Sequence, residues 1–398
     1  MTVKLRILLI LIVGLATMWM AGCGHYTCGL TFGSSTCSNS GTSGTGSTGT
    51  TIGTPAAFTY FIDQGQIDGT LLDTAGNFTL IPNFVAPPGP AGGSANMIVV
   101  QKKWMYLALS GGFQVNAYSI DGTSGQLTAL TGSPFTSLDS DALASDPAGH
   151  FLFLLGADND EVTVFSIDQS AGSLTKVGTF AANVGFAEQV TTDGLGKYLY
   201  VTAGNLGTVV AVFSINSTTG ALTALPNSPF SISIAQFTSE PTGKFMLGIT
   251  GNGALNGFGS DNHVYVYSIT QSGNQAGTIT PVTGSPFATT YIPDYLAVAP
   301  GGTFVYTFNE TVSSASPMEG FQFNTTSGQL TALSGSPFTA FTPTDGRLDQ
   351  SGDYLFLNSL GTLSVVGADT STGALTSTVT TTIPNAGGGL GWAVTDPD

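Results

Sequence analysis

Short stretches in which apolar and polar residues alternate recur along most of the chain. Their apolar positions carry Val, Ile, Phe and Tyr, and such β-branched and aromatic residues favour strands. Long helices are disfavoured because the chain is rich in Ser, Thr and Gly, with 54 glycines. The pattern therefore predicts an all-β protein. Four of these stretches are VNAYSI from Val115, VTVFSI from Val162, VAVFSI from Val210 and VYVYSI from Val264.

A second pattern follows the alternating stretches: a small residue, Gly, one further residue, and an apolar residue followed by Thr. Its seven copies stand 45 to 57 residues apart. A repeat of about 50 residues in a Thr- and Val-rich chain is typical of propeller blades. The glycines of the seven copies are Gly76, Gly125, Gly172, Gly220, Gly277, Gly328 and Gly373.

Two further signals divide each repeat into four strands. A Ser-Pro-Phe motif ends a strand, because Pro lacks the N–H that a sheet requires, and we expect its Phe to pack between blades. A glycine turn then joins the innermost strand to the next one. The motif ends at Phe135, Phe230, Phe287 and Phe338, and the turn glycines are Gly149, Gly196, Gly243, Gly302 and Gly352.

The two ends of the repeat region complement each other. The C-terminal GWAVTDPD has the pattern of an innermost strand without its partner, and the AFTYFID stretch from Ala57 has that of a second strand. We therefore predict one domain over residues 57–398, a seven-bladed β-propeller with four antiparallel strands per blade. Its last blade is closed by N- and C-terminal strands, which removes the free sheet edges that invite aggregation.

The first residues predict export. Residues 1–22 have a basic start and an apolar core, as in a secretory signal peptide. Their end, Met20-Ala21-Gly22-Cys23, resembles the bacterial lipobox, which implies acylation of Cys23 and attachment to the outer membrane or cell surface. An ordinary signal peptide with an incidental Cys, or an uncleaved anchor helix, are the alternatives.

Residues 23–56 predict a flexible tether, because they consist largely of Gly, Ser and Thr. Cys28 and Cys37 lie in it and can pair in an oxidising compartment or stay free. The net charge of the whole chain is −16. Such a chain repels phosphate backbones, so we expect no nucleic-acid partner. We expect a monomer that contacts the membrane through its N-terminal lipid.

The phrases SIDGTSGQLTALTGSPF and DPAGHFLFLLGADNDEVTVF resemble the lactonase-type seven-bladed propellers, the family that includes 6-phosphogluconolactonase. Secreted propellers with YVTN-like repeats are similar too. The resemblance implies lactone hydrolysis, a His in the loop matching 138–146 and an Arg in the loop matching 156–162. This chain has Asp139-Ser140-Asp141 and Asp158-Asn159-Asp160 there instead.

Acidic and amide side chains recur seven or eight residues before the turn glycines, where the innermost strands start at one mouth of the central channel. Asp158, Asp160 and Glu161 should lie on the same face, as should His263. Converging carboxylates can bind Ca²⁺, with Asp141 and Asp294 as candidate ligands. They can also accept hydrogen bonds from a hydroxylated ligand. A carboxyl group that is crowded by other carboxylates can act as an acid or a base. Alternatively, each caps a turn or faces water. The recurring residues are Asn96, Asp141, Glu188, Gln236, Asp294 and Asp345.

Two functions are compatible with these residues. We favour a non-catalytic envelope protein that binds a small molecule, a glycan or an envelope protein through this acidic face. The alternative is a hydrolase acting on a non-phosphorylated lactone, because Arg347 is the only arginine after the signal segment and an acidic mouth repels a phosphorylated one. We expect His150 at the surface, and Trp104 and Trp392 in the core.

Overall fold

The computed structural model describes residues 53–63, 66–85, 87, 95–109, 112–137, 142–156, 160–203, 209–250, 261–309, 317–359, 362–381 and 391–398. Every regular element in these ranges is a strand. Seven antiparallel sheets form a propeller, which confirms the predicted fold. None of the described residues forms a helix that could cross a lipid bilayer.

The first three blades in chain order follow the predicted plan of four strands, with the first strand innermost. In blades 1 and 3 the outer edge carries an additional two-residue strand that begins at the Phe of the Ser-Pro-Phe motif. Blade 1 contains β4 (Ala95–Val100), β5 (Trp104–Leu109), β6 (Gln114–Ile120), β7 (Leu127–Ala129) and β8 (Phe135–Thr136). Blade 2 contains β9 (Ala142–Ser145), β10 (Phe151–Gly156), β11 (Glu161–Ile167) and β12 (Leu174–Ala181). Blade 3 contains β13 (Ala187–Thr192), β14 (Tyr198–Ala203), β15 (Val209–Ile215), β16 (Leu222–Ala224) and β17 (Phe230–Ser231).

The next three blades repeat the plan. Blade 4 contains β18 (Gln236–Ser239), β19 (Phe245–Ile249), β20 (His263–Ile269), β21 (Ile279–Pro281) and β22 (Phe287–Ala288). Blade 5 contains β23 (Tyr295–Val298), β24 (Phe304–Phe308), β25 (Glu319–Phe323) and β26 (Leu330–Ala332). Blade 6 contains β27 (Asp345–Leu348), β28 (Tyr354–Ser359), β29 (Thr362–Ala368) and β30 (Leu375–Thr381).

Blade 7 combines the two ends of the propeller region, as predicted. It contains β1 (Pro55–Asp63), β2 (Gln66–Asp73), β3 (Phe78–Leu80) and the innermost β31 (Trp392–Thr395). β1 and β31 pair antiparallel from Phe58↔Thr395 to Phe61↔Trp392. In turn, β31 lies beside the innermost strands of blades 1 and 6, so it completes the ring of innermost strands and covers the inner edge of β1.

The hydrophobic core lies between neighbouring blades. The repeat glycines allow close packing there: Gly172 has a φ of +66°, and a Cβ atom on it would lie 2.6 Å from the Trp104 ring of the preceding blade. The Phe residues of the Ser-Pro-Phe motif also pack between blades, as predicted, and Trp104 is buried in the core. The Ser of the motif accepts a hydrogen bond from a third-strand N–H, as Ser133 Oγ does from Ala117.

Four buried tyrosines connect one blade to the next. Each stands on a second strand and donates its hydroxyl hydrogen bond to the carbonyl oxygen of the repeat glycine in the following blade. The four bonds are Tyr60 to Gly125 at 2.8 Å, Tyr106 to Gly172 at 2.7 Å, Tyr200 to Gly277 at 2.9 Å and Tyr306 to Gly373 at 2.9 Å.

Buried acidic residues precede the turns between first and second strands. Asp146 accepts a hydrogen bond from the N–H of Phe151 at 2.6 Å, and Asp193 accepts one from Tyr198 at 2.7 Å. Glu240 and Asp349 cap their turns in the same way. Burial nonetheless raises the pKa of Asp193 and of Asp349. Part of the chain's negative charge therefore stabilises turns and does not contribute to a ligand site.

Candidate functional site

The innermost strands of blades 1 to 6 line a central cavity of about 1110 Å³. Innermost strands of a propeller converge on one axis, so every second side chain of each strand can reach this space. The lining mixes apolar residues such as Met97, Leu143 and Leu296 with polar and charged ones. A cavity of this size and composition suits a small molecule with both polar and apolar faces.

The cavity brings together most of the residues that were predicted from their spacing to the turn glycines. Asn96, Glu188, Gln236, Asp294 and Asp345 all line it, each at or next to the start of an innermost strand. Asp141 and Asp158 lie outside the described residues, so their part in the site stays a prediction.

Asp160 supports the cavity wall from outside. It lies directly before β11, on the face of the propeller where the innermost strands start, as predicted, but it does not line the cavity. Its Oδ2 accepts a hydrogen bond from the N–H of Gly185 at 3.0 Å, and its carbonyl oxygen accepts one from Ala182 at 2.8 Å. These two bonds fix the segment that leads into β13. Asp160 therefore positions the strand that carries Glu188.

Glu188 has an unusual place on the backbone. In the pairing of β13 with β14, Ala187 faces Ala203 and Gln189 faces Thr202, so Glu188 is the additional residue of a β-bulge. A bulge redirects a side chain relative to the regular alternation, and bulges are frequent next to active sites. Both Glu188 and Gln189 line the cavity.

The Glu188 carboxyl group is desolvated. Its Oε2 is buried and has no hydrogen-bond partner among the described residues. Desolvation raises the pKa of Glu188, because burial penalises the charged form. A carboxyl group with an elevated pKa and a free oxygen in a cavity is suited to proton transfer. The adjacent Gln189 differs, since its Oε1 accepts a hydrogen bond from the N–H of Phe237 at 2.6 Å.

A second group of charged residues lies on blade 6. Asp345 Oδ2 accepts a hydrogen bond from the indole N–H of Trp392 at 2.7 Å, and Asp345 Oδ1 accepts one from the N–H of Gly346. The guanidinium carbon of Arg347 lies 4.9 Å from the centre of the Trp392 ring. Trp392 is buried, as predicted, but its hydrogen bond to Asp345 also connects the closing strand to the cavity.

Asp294 is buried on blade 5, and the loop before it is fixed by a residue that the spacing argument missed. Glu319, at the start of β25, accepts hydrogen bonds from the N–H groups of Thr290 and Tyr291 at 2.9 and 3.1 Å. Sequence spacing does not reveal this role, because Glu319 stands on a third strand and contacts a loop 28 residues earlier.

An aromatic side chain at the mouth was also missed. Phe186 directly precedes Ala187 and lines the cavity, yet 39% of its surface stays exposed. An exposed aromatic ring next to a polar cavity offers a flat apolar surface to a ligand. The sequence signal is weak, because Phe186 belongs to no copy of the repeat motif.

The remaining predictions concern histidines and metal. His150 is half-exposed on its turn, where its Nδ1 lies 3.7 Å from Asp146, and His263 begins β20 on the mouth face, as predicted. No cluster of three or more His, Cys, Asp or Glu suited to a metal ion occurs within the described ranges. Because Asp141 falls outside them, Ca²⁺ binding by Asp141 and Asp294 stays a prediction.

Solved structures show where else this fold occurs. A candidate 6-phosphogluconolactonase of Bacteroides fragilis is 17% identical, with a TM-score of 0.64 over 86% of this chain and 98% of that one. The Pseudomonas aeruginosa periplasmic gluconolactonase is 15% identical, with a TM-score of 0.62 over 86% of this chain and 100% of the other. A protein of unknown function from Desulfotomaculum acetoxidans has a TM-score of 0.59 at 16% identity, over 86% and 99% of the two chains. At these identities the similarity establishes the fold alone.

Sequence comparison identifies the family. Curated proteins give no match to the chain. The sequence model of the family described as "Lactonase, 7-bladed beta-propeller" matches residues 66–185, 101–235 and 253–390. The first two segments overlap over residues 101–185. The matches cover most of the propeller, and the chain therefore belongs to the seven-bladed β-propeller lactonase family.

Proposed function

We propose that the protein hydrolyses an uncharged sugar lactone in the central cavity, with Glu188 as general base. The observation that carries this proposal is the Glu188 carboxyl group, which lines the cavity at a β-bulge, is desolvated and is unpaired at Oε2. Membership of the lactonase family and the similar fold of a periplasmic gluconolactonase support it. The catalytic alternative is thus favoured over the non-catalytic binding protein that the acidic mouth suggested.

The chemistry requires one well-placed base. A water molecule attacks the lactone carbonyl carbon while Glu188 takes its proton, and a tetrahedral intermediate forms. The bond between that carbon and the ring oxygen then breaks, the ring oxygen takes the proton back from Glu188 and leaves as a hydroxyl group, and the resulting carboxylic acid releases a proton to solvent to give an aldonate. An elevated pKa makes Glu188 a stronger base once it is deprotonated, and such a positioned group typically contributes about 10²- to 10⁴-fold in rate.

The lining favours a neutral, hydroxylated ring. The amides of Asn96 and Gln236 can exchange hydrogen bonds with hydroxyl groups, and Phe186 can cover the apolar face of a sugar ring. Among the described lining residues, Arg347 is the only cation beside the carboxyl groups of Glu188, Asp294 and Asp345. A phosphate dianion on the substrate would be repelled by this excess of carboxylates.

The test is hydrolysis of glucono-δ-lactone by the purified full chain, followed by acid release at constant pH with the spontaneous rate subtracted. We expect Glu188→Gln to lower kcat by about 10²-fold or more. Glu161→Gln is the matched control, because Glu161 lies on the same face but outside the cavity lining. The 6-phosphorylated lactone should react no faster than its background rate.

The pH profile provides a second readout. Since the base acts deprotonated and its pKa is raised, kcat should rise with pH through an apparent pKa above the ordinary 4.5 of glutamate. Unchanged kcat in Glu188→Gln would contradict the assignment of the base. Tight binding of the lactone by wild type without turnover would instead restore the non-catalytic binding protein.

A further inference from the structure

Gln189 follows the proposed base in the chain, and one end of its side-chain amide is fixed. Its Oε1 accepts a hydrogen bond from the backbone N–H of Phe237 at 2.6 Å, which joins blade 3 to the innermost strand of blade 4. A backbone N–H can only donate, so the atom that faces it must be the amide oxygen. The NH₂ group is therefore the other end of this side chain.

The anchor of this hydrogen bond is rigid. Phe237 is 3% exposed, and the centre of its ring lies 6.4 Å from that of Tyr200 and 5.8 Å from that of Tyr267, both in edge-on contacts. The three rings belong to the core between blades 3 and 4. Because such cores are close-packed, the Phe237 N–H has little freedom to move. The amide plane of Gln189 is therefore oriented before any ligand arrives.

The NH₂ group of Gln189 and the carboxyl group of Glu188 serve the same cavity. Both residues line it, and they are consecutive at the β-bulge. Gln189 is half-buried, and its Nε2 donates no hydrogen bond to a described residue. One wall of the cavity thus offers a group that can take a proton and, beside it, an oriented hydrogen-bond donor.

We propose that Gln189 is a second catalytic residue of the cavity and that its Nε2 stabilises the oxyanion of the tetrahedral intermediate. This inference rests on the proposed function, because the oxyanion forms only when water attacks a lactone carbonyl carbon. As the new C–O bond forms, one electron pair of the C=O double bond moves onto the carbonyl oxygen. Nε2 donates a hydrogen bond to that oxygen and keeps its proton. When the bond to the ring oxygen breaks, the electron pair returns and the C=O bond is restored.

The charge of the cavity explains why an oriented donor matters. Carboxyl groups of Glu188, Asp294 and Asp345 line it and would repel a developing oxyanion. Arg347, the cation of the described lining, is paired with Asp345 on blade 6. An amide donor on blade 3 needs no reorganisation as the negative charge develops, and removal of one such donor typically lowers kcat by about 10²- to 10³-fold.

The test uses two substitutions that replace an amide NH₂ group by an oxygen. In Gln189→Glu the side chain can still accept the Phe237 N–H, so we expect wild-type melting, unchanged KM and a kcat about 10²-fold lower or less. In Gln271→Glu the same change removes the hydrogen bond that Nε2 donates to the carbonyl oxygen of Gly243 at 2.8 Å. Gln271 lies outside the cavity lining, so this control should melt below wild type and keep its kcat.

The negative charge that Gln189→Glu introduces is controlled separately. A carboxylate beside Glu188 raises the pKa of that base, so kcat is compared on the high-pH plateau of each pH profile. Gln189→Met removes the donor without adding a charge. Its kcat should fall by a similar factor, and the lost hydrogen bond to Phe237 should also lower its melting temperature.

The outcomes separate this inference from the proposed function. A folded Gln189→Glu or Gln189→Met with wild-type kcat would overturn the inference, as would a change confined to KM, while loss of turnover in Glu188→Gln would still support the proposed function. An equal loss of kcat in Gln271→Glu would also overturn it, because the amide would then act through stability. Wild type without lactone turnover would overturn both. Thermal melting identifies a misfolded variant, and the other Gln189 variant then decides.

Discussion

Replacing the four inter-blade tyrosines by Phe tests what holds the blades together. Each substitution removes one hydroxyl group, keeps the ring, and leaves a glycine carbonyl without its buried donor. A buried acceptor left unpaired costs about 1–2 kcal/mol. The four bonds join different pairs of blades and should add nearly independently, so the quadruple variant should lose about 4–8 kcal/mol. The substitutions are Tyr60→Phe, Tyr106→Phe, Tyr200→Phe and Tyr306→Phe.

Urea unfolding monitored by tryptophan fluorescence measures this loss, provided that the slope against denaturant stays constant. The matched control is Tyr267→Phe, because Tyr267 is buried on blade 4 and its hydroxyl forms no hydrogen bond with a described residue. It should change the free energy of unfolding by less than about 0.5 kcal/mol. If the four single variants are as stable as this control, the tyrosine hydroxyls do not hold the blades together.

Three further predictions concern closure, pH and attachment. Deleting residues 391–398 leaves β1 without its inner partner. We therefore expect the variant either to aggregate, as measured by light scattering, or to lose its cooperative melting transition. Melting like that of wild type would refute the role of β31. Hydrogen bonds from the side chain and N–H of Ser371 and from the N–H of Thr372 lower the pKa of Asp369 to about 2. The ionised form of Asp369 therefore stabilises the fold above pH about 3.8, and this stabilisation is lost as the pH falls through about 2. Asp369→Asn should therefore have a lower melting temperature than wild type at pH 5, and the same melting temperature as wild type near pH 2. If Cys23 is acylated, the wild-type protein should partition with the membrane fraction and Cys23→Ala should not be processed normally; a mature N-terminus at another residue, with all of the protein soluble, would exclude the lipobox.

The fold could be predicted from the sequence because each blade of a propeller needs the same residues at the same turns and strands. Glycines such as Gly125 and Gly172 have positive φ in every copy of the motif, so the same residue recurs wherever the same turn recurs. The closure could be predicted as well, because the stretch from Ala57 lacks a preceding innermost strand and the stretch around Trp392 is an innermost strand without a partner.

The candidate site was readable only in part. Spacing from the turn glycines placed Glu188, Asp294 and Asp345 on the cavity, because the start of each innermost strand is set by the same repeat. It could not identify the bulge at Glu188, which depends on pairing with β14. Nor could it place Trp392 against Asp345, since these residues lie 47 positions apart on different blades.

The tyrosine hydrogen bonds were missed although a signal was present. A Tyr stands two positions after an aromatic residue in the second strands of several blades, as in Phe58 and Tyr60 or Trp104 and Tyr106. Alternation alone assigns both residues to the core. Only the structure shows that the tyrosine hydroxyl donates a hydrogen bond to a carbonyl oxygen of the following blade.

Closure by both chain ends also determines when the molecule can be completed. β1, β2 and β3 leave the ribosome before the other strands of the propeller, whereas the innermost partner of β1, residues 392–395, leaves it after all of them. Blades 1 to 6 can form while the chain is still growing, but β1 keeps an unpaired edge throughout. Any delay before β31 emerges leaves that edge available to another nascent chain, so the pairing of β31 with β1 is the step that protects the inner edge of β1 from intermolecular pairing.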